Sequence, residues 1–475
     1  MAGFLVRFGA RLLFLLMAAR LFGVSLFGAF SVAVAVVEFA VAVAGLGNKR
    51  LIFKWLDSKP SDRPAGHVLL DAALLVAAVG LLLAATIMVA VAILPASMIA
   101  PATATALFLV APMVAGQALL DLLLAATRWH HSMRYEVVGR SMVEPYAATT
   151  ATLAAWLVGW VGTGLVLGYW AGTLATLFYA VAGTRRVFGS FALRSYRVAP
   201  SHLLPLLRQS GLPTLSDALN AFFTRLDLYL VGALLGEAPA GIYNMARQIR
   251  IPIRQVRQSF DGLLTPLIAR TLASGGEIET GKAAASATRL ILAIQLALLV
   301  SLVALGHPLL DWFGRAFAPG YWAMIVLAAA ESIQGAFGVS DLLFLYRRPL
   351  VTVNISIASI AINALAGLLL IAPLGVLGAA LAVLVANLAA AAIRRVALHT
   401  SFGIRTALDY NAGPLVAGAA GSASALLIVI ATEPGFGLAG YISACAAGLA
   451  IYAACLFGWM AASGDRLSLA HLRTR

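Results

Sequence analysis

Long apolar runs follow one another along almost the whole chain, and this pattern most constrains the fold. A helix of about 20 apolar residues crosses the ~30 Å hydrocarbon core of a bilayer. With 62% hydrophobic and 11% charged residues, the chain is too apolar for a soluble protein of 475 residues. The clear runs lie near 5–22, 28–46, 68–94, 103–126, 143–162, 164–184, 212–235, 287–306, 321–346, 351–372, 375–397, 413–432 and 437–461. We therefore predict an all-α integral membrane protein.

Residues 239–268 carry four arginines, and whether this stretch crosses the bilayer decides the topology. If it crosses, the chain has fourteen spans, nearly all basic loop residues share the side of the N-terminus, and Arg315 alone faces the other side. If it does not, Arg347, Arg348 and Arg405 face outward. Basic residues of short loops stay in the cytoplasm. We predict that this stretch crosses and that both termini are cytoplasmic.

A short internal repeat predicts two related halves. Residues 22–30 (FGVSLFGAF) and 235–243 (LGEAPAGIY) both fit G-x-x-x-x-G-x-[FY], and each would form the turn between the first two spans of its half. Two six-helix bundles would then enclose a central cavity. The predicted parts are an N-terminal lobe (1–186), a cytoplasmic amphipathic linker (187–211), a C-terminal lobe (212–397), and two additional transmembrane helices with a cytoplasmic tail (398–475).

The four arginines between residues 247 and 257 recur at spacings of three, four and three. At ~100° per residue they share one helix face. Exposure of an arginine to lipid costs ~2.5–3.5 kcal/mol at the centre of a span, so this face is expected to meet water, carboxylates or an anionic cargo. The substrate-binding candidates on or beside it are Arg247, Arg250, Arg254, Arg257, Tyr243, Gln248 and Gln255.

Carboxylates within other predicted spans supply the opposite charge. They are candidate coupling groups or counter-ions: Asp217, Asp227, Asp261, Glu38, Glu331 and Asp341. Two interpretations stay open, because the arginines either contact cargo or pair with these carboxylates and lock helices together. Arg225 lies off the polar face of its span and close to Asp227.

The sequence excludes several classes of function. Cys445 and Cys455 form neither a disulfide framework nor a metal-ligand spacing, and His130 and His131 have no metal-ligand partners nearby. The sequence contains no P-loop, G-x-S-x-G or H-E-x-x-H motif. We expect no enzyme activity, no cofactor and no metal. The net charge of +14 belongs to loops and the arginine face, so nucleic acid is not an expected partner.

Three stretches carry a family resemblance: RLDLYLVGALLGEAPAGIYNMARQI at 225–249, RLFGVSLFGAFSVAVAVVEFAVAVAGLGNKR at 20–50, and MRYEVVGRSMVEP at 133–145. The chain resembles the polysaccharide-transport (Wzx-like) branch of the multidrug/oligosaccharidyl-lipid/polysaccharide (MOP) flippase superfamily. This resemblance implies a multi-pass bacterial inner-membrane protein that moves undecaprenyl-diphosphate-linked oligosaccharide, an exopolysaccharide or O-antigen repeat unit, by alternating access. Through its kinship with lipid II flippases, it also implies that Arg20 or Arg11 faces the cavity.

The partners implied are the lipid-linked glycan, membrane lipids, H+ or Na+ as coupling ion, and glycan polymerase or export proteins. A multidrug cation antiporter of the same superfamily and a lipid II flippase are the alternative functions. An antiporter for cations would favour an acidic cavity, so the arginine face counts against it. A voltage-gated channel would need a re-entrant pore segment, which the sequence lacks.

Overall fold

A computed structural model describes residues 2–57, 64–95, 98–189, 196–273, 277–338, 344, 348–402, 407–432 and 437–463. The chain divides into two compact units, Met1–Gly241 and Ile242–Arg475. The lobe and linker boundaries predicted from the sequence stay a prediction. The second unit begins inside a helix, at the residue that follows the repeated glycine turn.

The helices that begin in the first unit follow the apolar runs, with short helices in between. A π-helical turn at Gly139–Val143 separates two of them, and two pairs are bent, by 47° between α4 and α5 and by 51° between α9 and α10. In chain order they are α1 (Ala2–Ala44), α2 (Asn48–Asp57), α3 (Ala65–Ile93), α4 (Pro101–Val110), α5 (Met113–Trp129), α6 (Arg134–Val138), α7 (Glu144–Leu157), α8 (Gly164–Phe188), α9 (Pro200–Thr224), α10 (Leu226–Leu235) and α11 (Glu237–Ile249).

The helices of the second unit are longer. A 3₁₀ turn at Arg315–Gly320 joins two of them. In chain order they are α12 (Ile251–Ala273), α13 (Glu277–Phe313), α14 (Tyr321–Gly338), α15 (Pro349–Phe402), α16 (Ala407–Thr432) and α17 (Gly437–Ser463).

Length and apolarity mark eight helices of the described residues as able to cross a membrane, or ten if each bent pair is one span. Two of the eight hold two predicted spans each, because two helices meet there at a kink on a glycine of positive φ, Gly23 at 78° and Gly375 at 59°. The two other predicted spans correspond to α7 and to the α11–α12 pair. These helices are too short or too polar to be counted by length and apolarity alone. The all-α membrane fold is thus confirmed, and a count of fourteen spans fits these helices.

The two copies of the glycine repeat have the same geometry. Their first glycines, Gly23 and Gly236, have φ of 78° and 89°, a region that favours glycine. Their second glycines, Gly28 and Gly241, lie so close together that an added Cβ on either would overlap backbone atoms of the other copy. The repeat therefore encodes a turn followed by a close helix crossing.

The two C-terminal helices pack on α13 in the second unit. Gly421 on α16 and Gly448 on α17 approach closely, since a Cβ on Gly448 would lie 3.0 Å from the Gly421 carbonyl oxygen. Tyr452 donates a hydrogen bond from its hydroxyl to the Ala293 carbonyl over 2.8 Å. Small residues at these crossings let the backbones meet, as is usual between helices in lipid.

Candidate functional site

The stretch with the arginines is broken into two helices at Arg250. Pro252 has no amide hydrogen, so the carbonyl four residues earlier loses its helical donor. The Ile253 amide instead donates to the Arg250 carbonyl over 3.1 Å, which is a tighter turn than an α-helix makes. The break puts Arg247 on α11, Arg254 on α12 and Arg250 between them.

A single carboxylate on α14 joins two of these arginines. Glu331 is 5% exposed, and its Oε1 accepts from Arg254 Nε over 2.9 Å while its Oε2 accepts from Arg254 Nη2 over 3.0 Å. Arg250 Nη1 lies 3.3 Å from the same Oε2. We call these three residues the Glu331 site. A buried carboxylate is stable only when it is paired in this way.

The other candidates on the arginine face differ in burial. Tyr243 is fully buried and Arg247 is 9% exposed, whereas Arg257, Gln248 and Gln255 are half-buried. Their proposed contacts with cargo stay predictions.

Gln295 on α13 fixes the arginine helix in place. Its side chain is fully buried, and its Nε2 donates to the Ile253 carbonyl on α12 over 2.9 Å. A Cβ on Gly335 of α14 would overlap the same amide group. Gln295 thus sets the spacing between α12 and α14, and with it the distance between Arg254 and Glu331. The sequence signal for Gln295, one amide in the apolar run LILAIQLALLV, was missed.

Three of the candidate carboxylates lie in the first unit. Asp217 accepts from Arg50 Nη2 over 3.2 Å, and Glu38 forms an ion pair with Arg225. Asp227 accepts from the backbone amide of the next residue over 2.9 Å, at the start of α10. The partner of Arg225 is therefore Glu38, from a different span.

The polar stripe expected through the seventh span is interrupted. Asp217 lies on α9 and Asp227 on α10, and the two helices are bent relative to each other. The break is at Arg225, the residue between the end of α9 and the start of α10. Arg20 lies exposed on α1. The side chain of Asp261 and the whole of Asp341 lie outside the described residues.

Another group of charges in the first unit was not selected from the sequence. Lys49 Nζ lies 2.8 Å from Asp121 Oδ2, and Arg140 Nη1 lies 2.8 Å from Glu144 Oε2. Arg140 also pairs with Asp121 through Nη2. We call these four residues the first-unit cluster. It ties α2, α5 and the start of α7 together.

Two further arginines are buried in the second unit. Arg289 on α13 is 4% exposed, and its guanidinium carbon lies 5.3 Å from the ring centre of Trp459, within cation–π range. Arg394 on α15 is 9% exposed. Each stands in an apolar run, which was the available signal.

The geometry of the Glu331 site suits anions. A guanidinium offers a planar fork of donors that matches the oxygens of a carboxylate or a phosphate, and Arg254 already holds two oxygens in this manner. The stretch 243–261 contains four arginines and one acidic residue, Asp261. An anionic group is the ligand that such a stretch attracts.

Solved structures share this fold. A structure of the lipid II flippase MurJ in an inward closed conformation matches with a TM-score of 0.77 and 13% identity, over 98% of this chain and 100% of that one. An inward-facing multidrug resistance MATE family transporter of the MOP superfamily matches with a TM-score of 0.69 and 13% identity, over 83% of this chain and 94% of that one. At such identities the likeness shows the fold alone.

A MOP superfamily transporter from Pyrococcus furiosus, described as having a binding pocket of reverse polarity, matches with a TM-score of 0.55 and 14% identity, over 84% of this chain and 93% of that one. No curated protein matches the chain. The chain is thus a multi-pass helical membrane protein with the fold of these MOP superfamily structures. Residues 1–272 match the model of the polysaccharide biosynthesis protein family, and the chain belongs to that family.

Proposed function

We propose that this transporter moves undecaprenyl-diphosphate-linked oligosaccharide across the bacterial inner membrane by alternating access, and that the arginines of α11 and α12 bind its diphosphate. The cargo would be an exopolysaccharide or O-antigen repeat unit. Membership in a polysaccharide biosynthesis family supports a glycan cargo, and the arginine stretch supports an anionic one.

The observation that carries this proposal is the pair of arginines on Glu331. Arg250 and Arg254 both reach one carboxylate, so their donor groups converge on one small volume. A diphosphate presents more oxygens and more negative charge than a carboxylate, and arginine forks bind such oxygens in a bidentate manner. Convergence of two guanidinium groups is therefore the geometry that a lipid diphosphate needs.

The remaining candidates have roles that follow from their chemistry. Tyr243, Gln248 and Gln255 would donate to sugar hydroxyls, and Arg20 would meet the cargo from α1. An ion gradient of H+ or Na+ would supply the energy, with a carboxylate as the coupling group. Both termini would be cytoplasmic, and a glycan polymerase or exporter would receive the product.

Reconstitution into proteoliposomes tests the proposal. A fluorescent undecaprenyl-diphosphate oligosaccharide is incorporated, and its movement between leaflets is followed by the loss of fluorescence to an added membrane-impermeant quencher. The wild-type protein is expected to move this lipid, and Arg254→Ala to slow the movement at least about tenfold, because a bidentate charge-assisted contact is lost.

Arg315→Ala is the matched control, since Arg315 is an exposed arginine of the 3₁₀ turn. It should transport as the wild type does. Equal rates for the wild type and Arg254→Ala at equal protein amounts would overturn the role of the arginines. Movement of lipid II in place of the oligosaccharide lipid would favour the lipid II alternative, and efflux of a cationic dye with no lipid movement would favour the antiporter.

A further inference from the structure

We infer that Glu331 is a displaceable stand-in for the cargo: it occupies Arg250 and Arg254 while the site is empty, gives them up to the diphosphate, and returns to expel it. This inference rests on the proposed function. It assigns to Glu331 a role in specificity and release, which differs from a fixed ion pair that only holds helices together.

The contacts of Glu331 are those that a phosphate group would make. Two of its oxygens receive Nε and Nη2 of Arg254 in parallel, at 2.9 and 3.0 Å, and Arg250 reaches one of the same oxygens. The two Arg254 donors that would hold a phosphate in a bidentate manner are thus already bound to the carboxylate of Glu331. A diphosphate can take over this bidentate contact with Arg254 only when the carboxylate moves away.

The charges favour exchange once a diphosphate arrives. Glu331 carries one negative charge and shares it between Arg250 and Arg254. A diphosphate carries more than one negative charge and has more acceptor oxygens, so it pairs with the two guanidinium groups more strongly than one carboxylate does. A monoanion gains no such advantage, and the carboxylate therefore selects against singly charged ligands.

Burial supplies the reason for a stand-in. The side chains of Arg250 and Glu331 are 7% and 6% exposed, so water cannot replace a lost partner at either one. Loss of Glu331 from an empty site would break the buried pair that it forms with Arg250, and breaking a buried pair is costly. The side chain of Arg254 is 36% exposed, which leaves one of the two arginines accessible to an approaching ligand.

Isothermal titration of the purified full-length protein with inorganic pyrophosphate tests the inference. Glu331→Gln keeps the shape of the side chain and removes the competing charge, so it should bind pyrophosphate about tenfold more tightly than the wild type. The same variant should move the lipid-linked oligosaccharide more slowly in proteoliposomes, because nothing returns to expel the cargo. Glu331→Asp, which reaches less far, should show a smaller gain in affinity.

Glu144→Gln is the matched control, because Glu144 also pairs with an arginine but lies in the first-unit cluster. Its affinity for pyrophosphate should stay within about twofold of the wild type, because the arginine that Glu144 pairs with is Arg140, which is not one of the proposed diphosphate-binding arginines. Tighter binding together with slower transport supports the inference. Unchanged or weaker pyrophosphate binding in Glu331→Gln overturns the inference. If Glu331→Gln does not fold, unchanged or weaker binding in Glu331→Asp overturns it.

Arg254→Ala separates this inference from the proposed function. If the wild type binds pyrophosphate and Arg254→Ala weakens that binding, the arginines bind diphosphate. The results for the Glu331 variants then test only the role of Glu331 as a stand-in. If the wild type neither binds pyrophosphate nor moves the lipid, both proposals are wrong.

Discussion

The first-unit cluster and the Glu331 site both pair basic residues with carboxylates, but in different proportions. In the first-unit cluster, Lys49 and Arg140 meet two carboxylates, Asp121 and Glu144, so the charges balance. At the Glu331 site, two arginines share one carboxylate. The Glu331 site therefore brings two guanidinium groups onto one anionic group, an arrangement that also suits the oxygens of a phosphate.

The two groups also differ in their contact with water. Side-chain exposure in the first-unit cluster runs from 17% to 59%, while Glu331 and Arg250 are at 6% and 7%. Ion pairs that water can reach contribute less to stability than buried ones, and a buried carboxylate that loses its partner costs much more. The first-unit cluster therefore links its helices weakly. At the Glu331 site, loss of one charged partner should lower the stability of the protein and change the electrostatics of the site.

The largest expected effect comes from removing the carboxylate altogether. Glu331→Leu should lower the free energy of unfolding by about 3–5 kcal/mol, because the change breaks the buried pair between Glu331 and Arg250. Glu144→Leu, the counterpart in the first-unit cluster, should cost about 1 kcal/mol or less. Thermal or denaturant unfolding of both variants in the same detergent measures the difference. Equal losses of unfolding free energy in the two variants would show that burial does not make the Glu331 site more important for stability than the first-unit cluster.

The second effect concerns the shape of the charged group. Arg254→Lys keeps the charge but loses the fork that holds two oxygens, so transport of the lipid-linked oligosaccharide should fall about tenfold. Arg140→Lys should change transport less than about twofold, since Arg140 contacts two separate carboxylates, each of which an ammonium group can also reach. Quencher assays in proteoliposomes measure both rates. A similar loss in the two lysine variants would contradict the distinction.

The third effect tests how the second unit holds its arginine helix. Gln295→Met should lower the free energy of unfolding by about 1 kcal/mol, because the buried Ile253 carbonyl loses its donor. Gln117→Met is the first-unit counterpart, since Gln117 bonds side chains, Arg140 over a long 3.4 Å and Tyr169, and side chains can turn to other partners. It should cost clearly less in the same unfolding assay. The reverse order would show that Gln295 does not hold α12 in place.

Much of the fold follows from the sequence, because hydrocarbon thickness fixes the length of each apolar run. The runs at 28–46 and 375–397 are helical as expected, but a kink at a single glycine, and no loop, joins each to the helix of the preceding run. The bend between α9 and α10 was not predicted. Helical periodicity assumes an unbroken helix, so it placed Asp217 and Asp227 on one face although the chain bends between them.

The site was predictable in composition but not in pairing. The spacing of the arginines indicated a shared helix face. Pro252 indicated a kink, and the helix does break two residues before Pro252, at Arg250. Which carboxylate meets them could not be derived, since Glu331 lies 77 residues from Arg254 and five other carboxylates were equally suitable. Gln295 was missed because a lone amide in an apolar run reveals neither its partner nor its direction.

The smallest expected effect belongs to the most exposed pairs of the first unit. The side chains of Lys49 and Arg50 are 59% and 71% exposed, and they pair with Asp121 and Asp217. Lys49→Ala and Arg50→Ala should each lower the free energy of unfolding by about 0.5 kcal/mol or less, and the loss should vanish near 1 M salt, where the Debye length is ~3 Å. The loss in Glu331→Leu should persist at that salt concentration, because screening reaches buried charges poorly. Unfolding curves at low and high salt compare the three variants, and a salt-sensitive loss in Glu331→Leu would place Glu331 in the same class as the surface pairs.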